Sequence, residues 1–279
     1  MLSGVLVHPQ KKAVIPFAPE PILKQDGRTK NDCERNAAER FLEDLRREHP
    51  HLKLIVTEDG LGSNAPPIDT LKRHNMNFIL GCKPGDHTAL FAFLEGSEKI
   101  GAVSHIGIQD GELIHRFRWM HSVPLNDSRS DCVVNFIEYW EIKDGKEVRH
   151  FSWVTDLTVD ASTLIPIMRA ARARWEIENA TFNTLKNGGY AFEHNFGHGY
   201  ENLSVNFALL MMLAFFIDQV LELACLFFQK ARQRLKRKMY LWQEMQGYIT
   251  LLKFKDWEEF MNALAYGVAT EYKILLNPL

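Results

Sequence analysis

Paired cysteines are absent from this chain. Cys33, Cys82, Cys132 and Cys225 stand far apart and form no CxxC pair, so neither a disulfide framework nor a zinc ribbon is expected, and a reducing cytoplasm is the compartment that fits. Net charge is also scarce: 33 Lys and Arg against 35 Asp and Glu give −2, which excludes a uniformly basic nucleic-acid coat. Charge is regional instead, for Lys230-Ala231-Arg232-Gln233-Arg234-Leu235-Lys236-Arg237-Lys238 holds no acid. The first eight residues lack the length and the basic start of a secretory signal. There is no internal repeat and no low-complexity tract. No apolar run reaches the ~20 residues of a membrane span. The most apolar segment, Val205 to Phe228, is interrupted by Asp218, Gln219 and Glu222, and one mid-span Asp costs roughly 2.5 to 3.5 kcal/mol on insertion. A buried core helix and no membrane partner are expected there.

What is present suffices for a substantial core: 279 residues, 46% of them hydrophobic. Apolar runs at 2–8 and 13–17, separated by His8-Pro9-Gln10-Lys11-Lys12, fit a hairpin. From Lys30 to Glu48 the spacing of Ala37, Phe41, Leu42 and Leu45 is helical, with Asn31 or Asp32 as cap and Pro50 closing it. A strand over Leu52 to Thr57 leads into Glu58-Asp59-Gly60, after which Ser63 or Asn64 caps a helix entered by proline. Another strand, Met76 to Leu80, stops at Gly81. This alternation predicts an α/β layered core over 1–98. Residues 99–157 read as an all-β insertion, with runs Ile100 to Ile108, Leu113 to Met120, Cys132 to Ile142 and Val148 to Leu157 and turns at Asp110-Gly111 and Asp144-Gly145. A core helix follows within 158–199, spanning 161–186, and 200–279 form a helical C-terminal region.

Two acids stand out. Asp59 falls at the C-terminal end of a core strand, where open α/β sheets present catalytic side chains, although Asp-Gly is equally ordinary turn chemistry. Glu178 lies in Arg174-Trp175-Glu176-Ile177-Glu178-Asn179-Ala180-Thr181-Phe182-Asn183-Thr184-Leu185-Lys186. At about 100° per residue it shares an apolar stripe with Trp175, Phe182 and Leu185. A carboxylate on such a stripe is desolvated and keeps its charge only against a cation or metal. The plain alternative is a surface pair with Arg174, worth about 0.2 to 0.5 kcal/mol.

Taken together, a strand-end Asp and a helical Glu separated by a β insertion resemble the bacterial DDE transposases of the insertion-sequence-four type. The likeness is carried by Lys30-Asn31-Asp32-Cys33-Glu34, by Asp59-Gly60-Leu61-Gly62-Ser63-Asn64 with its prolines, and by Asn77-Phe78-Ile79-Leu80-Gly81-Cys82-Lys83-Pro84. The helix 174–186 and Glu193-His194-Asn195-Phe196-Gly197-His198-Gly199 extend it over essentially the whole chain. It implies an RNase H-like core in which three carboxylates hold two Mg2+ ions, with Mn2+ as a substitute, about 3.5 to 4 Å apart, for attack of water or a DNA 3′-hydroxyl on phosphate. On that mapping Asp59 is the second carboxylate and Glu178 the third, both catalytic and metal-binding, while Arg174 and Lys186 lie along the DNA backbone. Three departures stand beside it: Ala171 replaces the signature tyrosine, the Glu-to-Lys interval is one residue longer than the commonest form, and the first aspartate belongs to a strand upstream of the hairpin.

The resemblance thus implies an N-terminally truncated transposase, incompetent alone, whose partners are transposon-end and target DNA and a second copy or an intact transposase, at the nucleoid of a bacterial cytoplasm. The alternative is a non-catalytic derivative that binds DNA or transposase and inhibits transposition. Among other residues, His194 and His198 are expected to pack or cap rather than bind metal. Trp119, Trp140 and Trp153 lie in the β insertion, where transposases of this kind can stack a tryptophan on a flipped base, and the sequence does not select among them. The run 230–238 is balanced between a solvated helix face and phosphate contact.

Overall fold

Alternating side chains in Val5–His8 (β1) and Lys11–Pro16 (β2) form the expected hairpin, with Leu6 opposite Ile15 and Val7 opposite Val14. The computed structural model describes residues 1–22, 33–60, 62–194, 197 and 202–268, and the protein is mixed α/β. It divides into two compact units, one of Ser3–Pro21 with Trp175–Leu279, the other of Ile22–Arg174.

In the unit of Ile22–Arg174, helix α1 (Glu34–Glu48) buries Ala37, Leu42 and Leu45, the periodicity read from sequence; the proposed caps Asn31 and Asp32 lie outside the described residues. Arg46 closes its C-terminal end, donating to the carbonyls of His49, Pro50, Leu52 and Asn75. Strand β3 (Ile55–Glu58) is followed by α2 (Ala65–Arg73), with proline in its first turn, and β4 (Asn77–Gly81), which runs parallel to β3. Helix α3 (Thr88–Lys99) comes next. Then come β5 (Ser104–Asp110), β6 (Leu113–Pro124), β7 (Val133–Lys143) and β8 (Lys146–Thr155). Asp144 and Gly145, at φ +51° and +71°, have the two left-handed residues of a tight hairpin turn, as Asp-Gly predicts. The four long strands do not form a sheet of their own: β8 pairs antiparallel with β4, and the sheet order is β3-β4-β8-β7-β6-β5.

One face of that sheet, including Ile79, Phe117, Ile137, Tyr139 and Trp153, packs on Leu164, Ile167 and Met168 of α4 (Leu164–Arg172). On the other face Phe136 meets the edge of Phe91 from α3 at 5.4 Å. The middle strand β7 carries two buried carboxylates, and each has cations. Glu138 accepts from Arg118 Nε at 2.6 Å and pairs with His150 Nε2 at 2.6 Å. Glu141 accepts from Arg172 Nη1 at 3.0 Å and from the Tyr139 hydroxyl at 3.0 Å, with Arg149 3.2 Å away.

In the unit of Ser3–Pro21 and Trp175–Leu279 the described residues after the hairpin are mainly helical. The helix expected over 161–186 is broken: α4 ends at Arg172, a turn follows, and a π-helical turn (Ile177–Phe182) leads into α5 (Asn183–Asn187). Then come α6 (Leu203–Ala224), α7 (Leu226–Leu235), α8 (Lys238–Leu251) and α9 (Trp257–Tyr266). Val14 of β2 packs with Leu185, Tyr190, Met212 and Phe215, while Phe228, Leu241, Phe260 and Leu264 form a second cluster. Helix α6 has the length and apolar composition to cross a membrane. It is not the fully buried helix the sequence suggested: Asp218 and Gln219 face inward, at 4% and 8% exposure, and Leu210 and Leu213 face out. The Tyr190 hydroxyl donates to Asp218, which explains how that acid is accommodated inside.

Burial pushes the Glu141 carboxyl up, but the Tyr139 hydroxyl and the Arg172 and Arg149 guanidiniums outweigh it and hold it below its ordinary value of 4.5. Its stabilising contribution is therefore complete above pH 4.5 and is lost as pH falls through the lower folded value. Arg172→Ala is expected to cost about 1–3 kcal/mol at neutral pH. Urea unfolding of both proteins should show that gap shrinking on acidification below 4.5; a gap independent of pH would contradict the pairing.

Candidate functional site

Asp59 stands one residue beyond β3, exposed to solvent, at the end where the parallel pair β3–β4 stops. The approach of the two strand ends is close. A Cβ added to Gly81 would lie 3.4 Å from the Asp59 backbone, so glycine at the end of β4 lets the Asp59 turn lie against it. Gly62 serves the neighbouring acid: a side chain there would run into the Glu58 carboxyl. Burial and then the Asp59 carboxylate raise the Glu58 pKa above its ordinary 4.5. The Asp86 carboxylate also reaches this turn, 3.5 Å from where a Gly60 side chain would begin.

Beneath the turn lies a buried polar pair that the sequence did not reveal. Ser63, fully buried, sits 2.6 Å from His87 Nε2 and donates to the Gly60 carbonyl at 3.2 Å. This hydroxyl was a possible helix cap; it anchors the loop to the start of α3 instead, and Asn64 occupies the N-cap position of α2. Burial lowers the His87 pKa below 6.5, against the opposing pull of Asp86 and a hydrogen bond with the Leu125 backbone. The residues Asp86-His87, directly after a strand-ending Gly-Cys-Lys-Pro-Gly, were the available signal. Cys82 beside them is no reactive thiolate: burial, then Glu138 and Asp86, push it up to about 12.

Glu178 belongs to the other unit, and its surroundings differ from expectation. The Asn183 N–H donates to the Glu178 carbonyl, five residues back, so this turn is wider than an α-helix. A projection at 100° per residue therefore fails across it. Leu185 and Thr181 are buried, Phe182 is half-buried, but Glu178 is exposed and Trp175 is 60% exposed. The apolar stripe containing a desolvated carboxylate is corrected to an accessible carboxylate on a π turn, a feature common at functional sites. Arg174 is half-buried, at the end of the unit that carries Asp59. Lys186 is exposed and pairs with Glu193 at 2.7 Å.

The remaining candidates separate cleanly. Trp153 is buried and Trp119 packs against the same core, whereas Trp140 alternates with Tyr139 and so points to the opposite face. There it stacks on His150 at 5.1 Å, and the Arg116 guanidinium lies 4.8 Å from its ring centre. The basic run 230–238 is not one helix face, since Lys236 at φ +57° separates α7 from α8. Arg232 and Lys238 pair with Glu222, and Arg234 with Glu244; Lys230, Lys236 and Arg237 are exposed. His194 is exposed, and His198 lies outside the described residues.

Asp59 and Glu178 offer the hard oxygen donors that Mg2+ takes. Among the described residues no three His, Cys, Asp or Glu side chains converge as a ready-made cluster, so each acid is one donor rather than part of a closed cage. No family model matches the chain, and no curated protein is significantly similar to it.

His87 supplies the pH test of this loop. Because its folded pKa is lowered, the unfolded state binds more protons as pH falls below 6.5, and stability is expected to fall from there down to the folded value. The ring should be half-protonated below pH 6.5 in an NMR titration. Ser63→Ala, which leaves Nε2 buried without its hydroxyl, should cost about 1–3 kcal/mol. A ring titrating at or above its ordinary value would refute the buried neutral state.

Proposed function

We propose that this chain carries the chemistry of a DDE-type DNA transposase, with an RNase H-like core formed around β3 and β4. The observation that carries the reading is Asp59, exposed one residue past the C-terminal end of a sheet strand, its turn packed closely on Gly81 at the end of β4. The sequence blocks that resemble the insertion-sequence-four transposases supply the rest. Asp59 and Glu178 are assigned as ligands of Mg2+, which when bound supplies the Lewis acidity for attack on a DNA phosphate. Arg174 and Lys186 are assigned to the phosphate backbone, Lys186 exchanging Glu193 for a phosphate oxygen. Trp140, with Arg116 beside it, is the tryptophan we assign to base stacking.

Asp59 and Glu178 are two of the three carboxylates that this chemistry uses. The chain alone is therefore expected to bind divalent metal and DNA without cutting. Fe2+ with ascorbate and peroxide, which breaks a polypeptide near its bound metal, should cut close to residues 59 and 178. Excess Mg2+, Asp59→Asn and Glu178→Gln should each suppress cutting at the corresponding position. Absence of these cuts would remove the two acids from the proposal, and nicking of transposon-end DNA by the chain alone with Mg2+ or Mn2+ would contradict the ligand count.

DNA binding is tested separately by salt titration. Each phosphate contact contributes about −0.9 to the slope of log affinity against log salt, so Lys186→Ala should flatten it by about 1. Trp140→Ala should weaken single-strand binding by about 1–3 kcal/mol with that slope retained. A slope near zero in the unaltered chain would end the nucleic-acid reading.

A further inference from the structure

Helix α6 is folded inside out. Its acids and its glutamine lie on the side turned to the protein, where Asp218 accepts from Tyr190 and Glu222 pairs with Arg232 and Lys238. Its outer side carries Leu203, Asn206, Leu210, Leu213, Ile217 and Val220, all exposed, with Leu210 at 58% and Leu213 at 52%. These positions advance by three and four residues in turn, and Ala224 continues the series. That 3.5-residue repeat is the seam along which two helices interlock. Phe216 and Leu223, also exposed, widen it on one side.

We infer that two copies of this chain associate through this face of α6, helix against helix. The area is adequate. The seven large apolar side chains on the face are between 37% and 58% exposed. Together they leave on the order of 500 Å2 open, at the upper part of the ~300–600 Å2 that the largest patch of a monomer spans, a patch that is often an interaction site. A standard interface takes about 800 Å2 from each partner. The single helix thus supplies more than half of that area. Chemistry selects the occupant: the stripe bears no charge, so an acidic or basic partner finds nothing to pair with. A lipid surface requires no 3.5-residue spacing and disfavours Asn206. In a helix pair, one polar residue within an apolar seam fixes the alignment of the two copies. This inference is independent of the transposase reading, because it uses none of the candidate ligands.

Sedimentation velocity of the full chain tests it. At roughly 1 to 100 µM, the range in which interfaces of this size assemble, the chain is expected to be a dimer. Leu213→Glu and Leu213→Lys should each give a monomer whose circular dichroism and unfolding midpoint are unchanged, since the side chain is exposed. Leu213 lies near the middle of the helix and meets its own copy whichever way the two helices run, so an equimolar mixture of the two variants should recover the dimer. An uncharged pair, Ile217→Ser with Val220→Ser, should weaken association by on the order of tenfold or more. A chain that stays monomeric, a dimer indifferent to every one of these substitutions, or a monomer that binds phosphatidylcholine vesicles through Leu213 would each overturn the inference.

Discussion

The arrangement around Asp59 depends on the pairing of β4 with β8, two strands far apart in sequence. Backbone register sets Ile79 against Thr155, Leu80 against Val154 and Gly81 against Trp153. Side chains at the end of β8 fasten it. Thr155 donates to the Phe78 carbonyl at 2.6 Å, and Asp156 accepts from the Phe78 N–H and the Asn77 amide, both at 2.9 Å. At the other end Cys82 N–H donates to the Ser152 carbonyl at 2.9 Å, and the Ser152 hydroxyl returns a bond to the Cys82 carbonyl. With β4 fixed in this way, Gly81 can lie under the Asp59 turn and β3 has a stable strand to pair with. A parallel pair alone is too small to hold its own geometry. The long antiparallel strands are therefore the scaffold of the candidate site as well as a surface for Trp140.

Much of this could be read from sequence because the signals were local. The hairpin β1–β2, the periodicity of α1 and the two Asp-Gly turns are decided by neighbours a few residues apart, and they appear where expected. What was not legible depends on distant partners. The strand character of 99–157 is legible in its residues, but nothing in them says that the free edge of β8 pairs with β4. Helix α3 has a legible signal, for Leu90, Phe91, Leu94 and Ser97 have helical spacing and are buried, but no side chain caps its start. The break in the helix expected over 161–186 is subtler. A single bond from Asn183 to Glu178 lengthens the turn by one residue, and a fixed angle per residue cannot anticipate it.

The candidate residues fared according to the same rule. Asp59 was recognisable from the strand that precedes it, and its exposure follows from that position. Glu178 was singled out for a burial it does not have; its accessibility comes from the π turn, which presents the carboxylate to solvent while Thr181 and Leu185 fill the core. Choosing among the three tryptophans required the strand parity of β7 and β8 relative to α4. Once Tyr139 is known to face α4, Trp140 must face away. Ser63 and His87 are separated by α2 and β4, so their contact is a product of folding rather than of any motif.

Charge placement divides the acids into two kinds, and the division bears on chemistry. Glu138, Glu141 and Asp218 are buried and sit against arginine, histidine, lysine or tyrosine groups of the chain itself. Each of these carboxyls is already engaged by partners inside the fold, so these acids are committed to structure. Asp59 and Glu178 are exposed, one at a strand end and one on a widened helical turn, both places where backbone irregularity costs the core little. Both carboxylates are accessible to solvent, which is what the metal binding proposed for them needs. The basic residues divide in the same manner. Arg232, Arg234 and Lys238 are held by Glu222 and Glu244, so half of the cations in the run 230–238 are already paired within the fold. A run of like charge in this sequence is therefore not a uniformly basic surface, because the fold pairs half of its cations with acids from elsewhere in the chain.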